Sequence, residues 1–250
     1  MRTAAVTILL AAVLAAGCAG DGNGDEASPA PTDTATEPVA IDAGRDDPEP
    51  GRVLLAFVKA AGDNDPEAMW ELLSEPTQAS IGPTLSEFRA GAAQEFAEGL
   101  GTLAGNAKVI LSRTLRDDWR VAAVAGERTV EGEPEYFAYG AALLPENGEL
   151  KLELGGVVVT GFRPEPLQEV ADLRPEVAAN VGAGGDLTDV RMWLDGDGFS
   201  FRRGANDTPF TATMRGRPTG DLTTGRHEIV VFAATDQTAT ATAWTFSVKG

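Results

Sequence analysis

The period of the apolar residues changes once along this chain, near Gly105, and that single change limits the folds open to it. Before Gly105 the spacing is helical. Val53, Leu54, Phe57, Val58 and Ala61 form one stripe, which Gly62-Asp63-Asn64 stops. Asp65 followed by Pro66 is an N-cap with proline in the first turn, so a second helix is expected there, carrying Met69, Trp70, Leu72 and Leu73 until Pro76 ends it. Thr84 and Glu87 stand at capping-box spacing and open a third, with its stripe on Leu85, Phe88, Ala92, Phe96 and Leu100.

After Gly105 the pattern is extended. Ala107 to Leu115, Trp119 to Val130, Glu135 to Leu144 and Leu150 to Val159 are expected strands, parted by the turns Arg116-Asp117-Asp118, Glu131-Gly132-Glu133-Pro134 and Pro145-Glu146-Asn147-Gly148. Connections this short imply antiparallel neighbours. Helices followed by a meander make an α+β unit, expected over residues 51–162, in which the helices cover one face of a curved sheet.

The run from Phe57-Val58-Lys59-Ala60-Ala61-Gly62-Asp63-Asn64-Asp65-Pro66 through Glu67-Ala68-Met69-Trp70-Glu71-Leu72-Leu73-Ser74 resembles the opening of NTF2-like domains of extracytoplasmic bacterial proteins. It is similar in particular to the small domain that precedes the catalytic part of some penicillin-binding proteins. The resemblance implies a cone of helices over a curved antiparallel sheet. Enzymes of that fold place an Asp with His or Tyr inside the cone as acid and base, because proton transfer needs a group within hydrogen-bond reach. No His occurs in this unit; Tyr136 and Tyr139 are the available phenols, and the adjacent Asp117 and Asp118 read as solvated turn residues. Trp70, Phe88, Trp119 and Tyr139 are candidates to line a ligand cavity in the cone, against the alternative of a filled hydrophobic core.

Pro164-Glu165-Pro166 resets the chain, and residues 163–174 read as a connector. From 175 to 250 the pattern is all strand: Glu176 to Val181, Val190 to Asp195, Phe199 to Arg203, Phe210 to Arg215, Glu228 to Thr235 and Ala239 to Val248, with a hairpin signal at Leu194-Asp195-Gly196-Asp197-Gly198-Phe199. Short strands at this spacing indicate a sandwich. The closing segment, Gly225-Arg226-His227 before a strand ending at Asp236 and then Trp244-Thr245-Phe246-Ser247-Val248, resembles the last two strands of bacterial immunoglobulin-like domains. Trp244, Phe246 and Val248 share a face at period two and are expected in the core. His227, the only histidine, belongs to a strand-opening turn and has no second metal ligand or nucleophile beside it. Asp195 and Asp197 suggest a calcium loop, but Asn206 stands where an EF-hand needs Glu. Asn206-Asp207-Thr208 is formally a glycosylation triplet.

The amino terminus reads as an address. Arg2, an apolar run from Ala4 to Ala16 and a small residue at Gly17 form a signal peptide over residues 1–17, too short for the roughly 20 residues of a membrane-spanning helix. Leu14-Ala15-Ala16-Gly17-Cys18 resembles the bacterial lipobox, which implies diacylglycerol and palmitate-type acylation of Cys18 as the first mature residue. Cys18 is the only cysteine, so no disulfide framework competes for it. Ala19 to Pro50 carries nine acids against one Arg, with no aromatic residue, and is expected to be a disordered stalk whose ends lie about 30 Å apart.

The charge narrows the partners. A formal charge of −18 from 38 acidic and 20 basic residues speaks against nucleic acid as a ligand. Together these features lead to the expectation of a non-enzymatic, lipid-anchored protein on the extracytoplasmic face of a bacterial membrane. It would contact wall polymer or another envelope protein and use no metal and no cofactor. A small-ligand receptor using the cone is the alternative.

Overall fold

Hydrophobic residues on both sides of a sheet demand a cover on both sides, and this requirement organises the molecule. The computed structural model describes residues 43–115, 119–130 and 132–250; Cys18, the signal peptide, the stalk up to residue 42, and Asp117 and Asp118 lie outside them. The described residues fall in one compact unit. The first sheet is antiparallel, in the order β1 (Arg45–Asp46), β2 (Lys108–Thr114), β3 (Arg120–Val130), β4 (Glu133–Glu146), β5 (Glu149–Glu153). Asn147 (φ 53) and Gly148 (φ 86) form the two-residue turn between β4 and β5, where a left-handed pair is required and Asn-Gly supplies it.

Five helices lie on one face of this sheet: α1 (Pro48–Gly62), α2 (Pro66–Glu71), α3 (Glu75–Ile81), α4 (Leu85–Ala90) and α5 (Ala92–Leu100). Their core contains Leu54, Phe57, Met69, Leu73, Phe88, Phe96 and Leu100, packed on Ala122, Val124, Ala141, Leu143 and Leu152 of the sheet. Three local expectations change. Helix α1 starts at Pro48, capped by Asp47, so residues 43–50 are an ordered part of the body and not the end of the stalk. Pro76 does not end α2; it sits in the first turn of α3, where its missing N–H is harmless, behind the cap Ser74. The stripe from Leu85 to Leu100 is broken into α4 and α5 at Gly91.

The second half is a pair of sheets. The outer one runs β11 (Arg202–Arg203), β12 (Thr211–Gly216), β8 (Val177–Ala183), β6 (Val157–Arg163). The other runs β10 (Asp197–Gly198), β9 (Asp189–Leu194), β13 (Gly225–Ala234), β14 (Ala239–Val248), β7 (Glu169–Val170). Between them lie Val177, Val181, Met192, Met214, Ile229, Val231, Trp244, Phe246 and Val248. The boundary expected after residue 162 therefore moves. The stretch read as one strand from Leu150 to Val159 divides at Glu153, and Val157–Arg163 pairs with β8. The expected connector contains β7, which pairs in parallel with β14.

A third core joins the halves. Leu111, Val121, Ala123, Ala125, Ala138 and Ala142 of the first sheet meet Trp193, Val230, Phe232, Ala234, Ala239, Ala241 and Ala243 of the second. The order of layers is helices, first sheet, middle sheet, outer sheet. Gly140 shows how near the first two sheets come: a Cβ there would lie 3.1 Å from the backbone nitrogen of Ala243 and 3.1 Å from the carbonyl carbon of Thr242.

Candidate functional site

Three of the four aromatic residues expected around a cavity share one environment. Phe88 is fully buried, with the Trp70 ring 5.3 Å and the Phe96 ring 6.4 Å from it, centre to centre; Trp70 and Tyr139 pack against the same helix-side core. Burial pushes the Tyr139 phenol well above its usual range. Trp119 departs from the set. It lies on the opposite face, packed on the third core, 6.4 Å from the ring of Phe232. The reason is the strand period: Trp119 precedes Val121, Ala123 and Ala125, the residues of β3 that face the middle sheet.

Two open depressions of the described surface lie elsewhere. An open hollow of about 330 Å³ is lined by Asp46, Asp47, Pro48, Ile110, Ser112 and Arg113. Most of its polar groups are occupied with one another: Thr114 and the Glu49 amide both donate to Asp47, which holds that carboxyl below its usual range, and Arg113 pairs with Asp46, although the buried Nε of Arg113 has no hydrogen-bond partner among the described residues. A second, of about 250 Å³, lies where β4 meets β14 and is lined by Pro134, Glu135, Tyr136, Leu167, Arg226 and Ser247.

Beside this second hollow is a cluster of ionisable side chains from three elements. Asp195 (φ 52) and Gly196 (φ 82) form the expected two-residue turn between β9 and β10. The Asp195 side chain accepts from the Glu228 amide at 2.9 Å and meets Nδ1 of His227 at 2.7 Å. Nε2 of His227 lies 2.8 Å from the Thr223 carbonyl. A carbonyl only accepts and an ionised carboxylate only accepts, so both contacts are hydrogen bonds when both ring nitrogens carry hydrogen, as in the imidazolium. Burial pushes the ring's pKa down, but the hydrogen bonds to Asp195 and Thr223 and the charges of Asp195 and Glu228 outweigh it and hold the value above 6.5. The residue is 3% exposed and its ring tilts over Phe246 at 5.3 Å.

Glu228 continues the cluster across to the first sheet. Tyr136 donates to it at 3.3 Å, and Arg226 stacks on the Tyr136 ring at 4.5 Å. Burial and then the nearby Asp195 charge raise the Glu228 carboxyl, while burial and Glu228 raise the Tyr136 phenol. This carboxylate–phenol pair is the arrangement that acid–base chemistry in a cone would use, but it is on the wrong side of the sheet. Tyr136 faces the middle sheet, whereas Tyr139, three residues on, faces the helices.

A second polar bridge also ties the halves together. Glu153 is 3% exposed and accepts from Ser74 at 2.5 Å, from Thr77 at 3.2 Å and, through its other oxygen, from Thr238 of the β13–β14 turn at 2.7 Å. Nothing in the sequence marks either bridge, because Tyr136 and Glu228 are 92 positions apart and Glu153 and Thr238 are 85.

Among the described residues no group of three or more His, Cys, Asp or Glu side chains is placed to hold a metal, and no helix is long and apolar enough to cross a membrane. Comparison with protein-family models finds none that matches the chain, and comparison with curated proteins finds no match either.

Proposed function

We propose that this chain is a lipid-anchored protein of a bacterial cell envelope, exported by residues 1–17 and acylated with diacylglycerol at Cys18. On the extracytoplasmic face of the membrane, an NTF2-like half and an immunoglobulin-like half act as one non-enzymatic binding or scaffolding body. The observation that carries the reading is Leu14-Ala15-Ala16-Gly17-Cys18 directly after a short apolar run and directly before an acidic, Pro- and Gly-rich stretch. The α+β arrangement of the first half and the Trp244–Phe246–Val248 core of the second support the two resemblances. The cone-receptor alternative loses support, since Trp70, Phe88 and Tyr139 are packed into the helix-side core and Trp119 lies on the other face of the sheet.

Metabolic labelling with a palmitate analogue, followed by membrane fractionation, tests the anchor. The wild-type chain is expected to carry label and to sediment with membranes, and Cys18→Ser to lose both. Unlabelled wild-type protein, or a Cys18→Ser variant processed and fractionated like wild type, would overturn the proposal.

A further inference from the structure

The outer sheet carries a feature that its acidic surroundings do not explain. Arg202 of β11 is the direct partner of Arg215 on β12, Arg215 of Ala178 on β8, and Ala178 of Arg163 on β6. Directly paired residues project from the same face, so this is one row of three arginines across four strands. It is the solvent face, because the alternate residues Val177, Ala179 and Met214 point into the sandwich core.

Other arginines of this half have acids at hand: Arg174 with Asp221, Arg217 with Asp172, Arg203 with Asp207, Arg191 with Asp189 and Arg226 with Glu127. In the row, Arg163 reaches only Glu176, at 3.7 Å, and its side chain is 70% exposed. Arg202 and Arg215 are exposed, and their side chains have no hydrogen-bond or ion-pair partner among the described residues. Like charges directly opposite each other on neighbouring strands are destabilising. Two facing, unpaired guanidinium groups in a chain with 38 acids and 20 bases are the arrangement expected where the counter-charge comes from outside.

The shape of the charge indicates the occupant. The row crosses three strand spacings and is about 14 Å long. The next two rows on one side of it, Thr213–Asn180–Thr160 and Thr211–Gly182–Val158, are uncharged, while on the other side Arg217 and Glu176 are each paired, with Asp172 and Arg163. A bilayer would need cations spread over a plane; here they form a line, with hydroxyl and amide groups alongside. We propose that the outer face of this sheet is a docking strip for a linear phosphodiester polyanion of the envelope, with Arg202, Arg215 and Arg163 as its phosphate contacts, local pairings that must exceed the long-range repulsion of the chain's −18 charge, which salt screens. Guanidinium forks match phosphate oxygens bidentately, and Thr213, Asn180 and Thr160 supply neutral partners beside them. That the polymer belongs to the envelope rests on the anchor reading; the chemistry of the strip does not.

The test is binding of fluorescent poly(glycerol phosphate) to the full chain in mild detergent, across a salt series. Three phosphate contacts give a log–log salt slope of about −2, or roughly a 20-fold loss of affinity between about 50 and 200 mM salt. The double variant Arg202→Gln/Arg215→Gln is expected to bring the slope to about −0.7 and to weaken binding at least about 10-fold at low salt, with a melting temperature no lower than that of wild type. Arg202→Lys/Arg215→Lys keeps the charge and is expected to keep the slope. Absence of polymer binding at low salt, binding that the Gln variant leaves intact, or binding to phosphatidylglycerol vesicles without binding to the polymer would each overturn the strip. Failure of lipid labelling at Cys18 would remove the envelope source yet leave the measured strip standing, so the two proposals fail separately.

Discussion

The two faces of the first sheet are built from different materials. Against the helices the packing uses Phe57, Phe88, Phe96, Leu100 and Met69, large side chains that fill the uneven space beneath five short helices. Against the middle sheet it uses Ala123, Ala125, Ala138 and Ala142, which meet Ala239, Ala241 and Ala243. Small residues let two sheets approach until backbone meets side-chain position, as at Gly140. One face therefore gains from volume and the other from proximity. A face held by large residues is injured by removing atoms, and one held by small residues is injured by adding them.

The greatest effect is expected from separating the halves. Residues 157–250 alone would expose Val230, Phe232, Ala234, Ala239, Ala241 and Ala243 on one face, a contiguous apolar surface. This fragment is expected to self-associate or to lose cooperative unfolding, which light scattering and denaturant titration measure. A monomeric fragment with a single sharp transition would show that the third core is not required.

Next come the large-to-small changes. Phe88→Ala on the helix side and Trp244→Ala in the sandwich should each cost about 3–5 kcal/mol. Trp244 also loses its 3.0 Å hydrogen bond to the Pro164 carbonyl. A cost below about 1 kcal/mol at Phe88, in denaturant unfolding of the whole chain, would mean that the helix side does not depend on volume.

Small-to-large changes should sharpen the contrast. Gly140→Val and Ala243→Leu are expected to cost about 1–3 kcal/mol each by forcing the sheets apart. An increase in stability at either position would reveal unfilled space between the sheets instead of close contact.

The smallest effect concerns pH. His227 has a folded-state pKa held above 6.5, so its contribution is fully present below 6.5 and is lost as pH rises through the folded value. The raised carboxyl of Glu228 and phenol of Tyr136 act in the same direction, each favouring the fold less once it ionises. His227→Gln should cost about 1–2 kcal/mol at acidic pH, towards the lower end because the Asp195 side chain is 38% exposed, and the gap to wild type should narrow as pH rises. A gap in melting temperature that stays constant or widens with pH would contradict the doubly hydrogen-bonded imidazolium.

Much of the local structure was legible in the residues. Asp65-Pro66 starts α2, Thr84 caps α4, Asn147-Gly148 and Asp195-Gly196 make their turns, and Ala239–Val248 is one strand with Trp244, Phe246 and Val248 on its core face. Each is a local choice, set by capping chemistry, positive φ or period two. The candidate pocket was less legible: Phe88 and Trp70 do lie together, but Trp119 is on the other face, because the packing between the two sheets joins residues far apart along the chain. A signal for it existed. Val121 to Ala125 and Ile229 to Ala234 are unbroken apolar runs instead of alternating ones, the mark of strands buried on both sides.

The sequence by itself determined where helices give way to strands, which turns close the hairpins, and which residues carry the helix stripes and the core face of the closing strand, because those follow from contacts a few positions apart or from a repeating period. Only the tertiary structure decided that the two halves share a third core, that Tyr136 meets Glu228 and Glu153 meets Thr238 across it, and that Arg202, Arg215 and Arg163 fall in one row. Those contacts join residues far apart along the chain. Their partners are chosen by sheet order and register, which no local pattern of charges or apolar residues specifies.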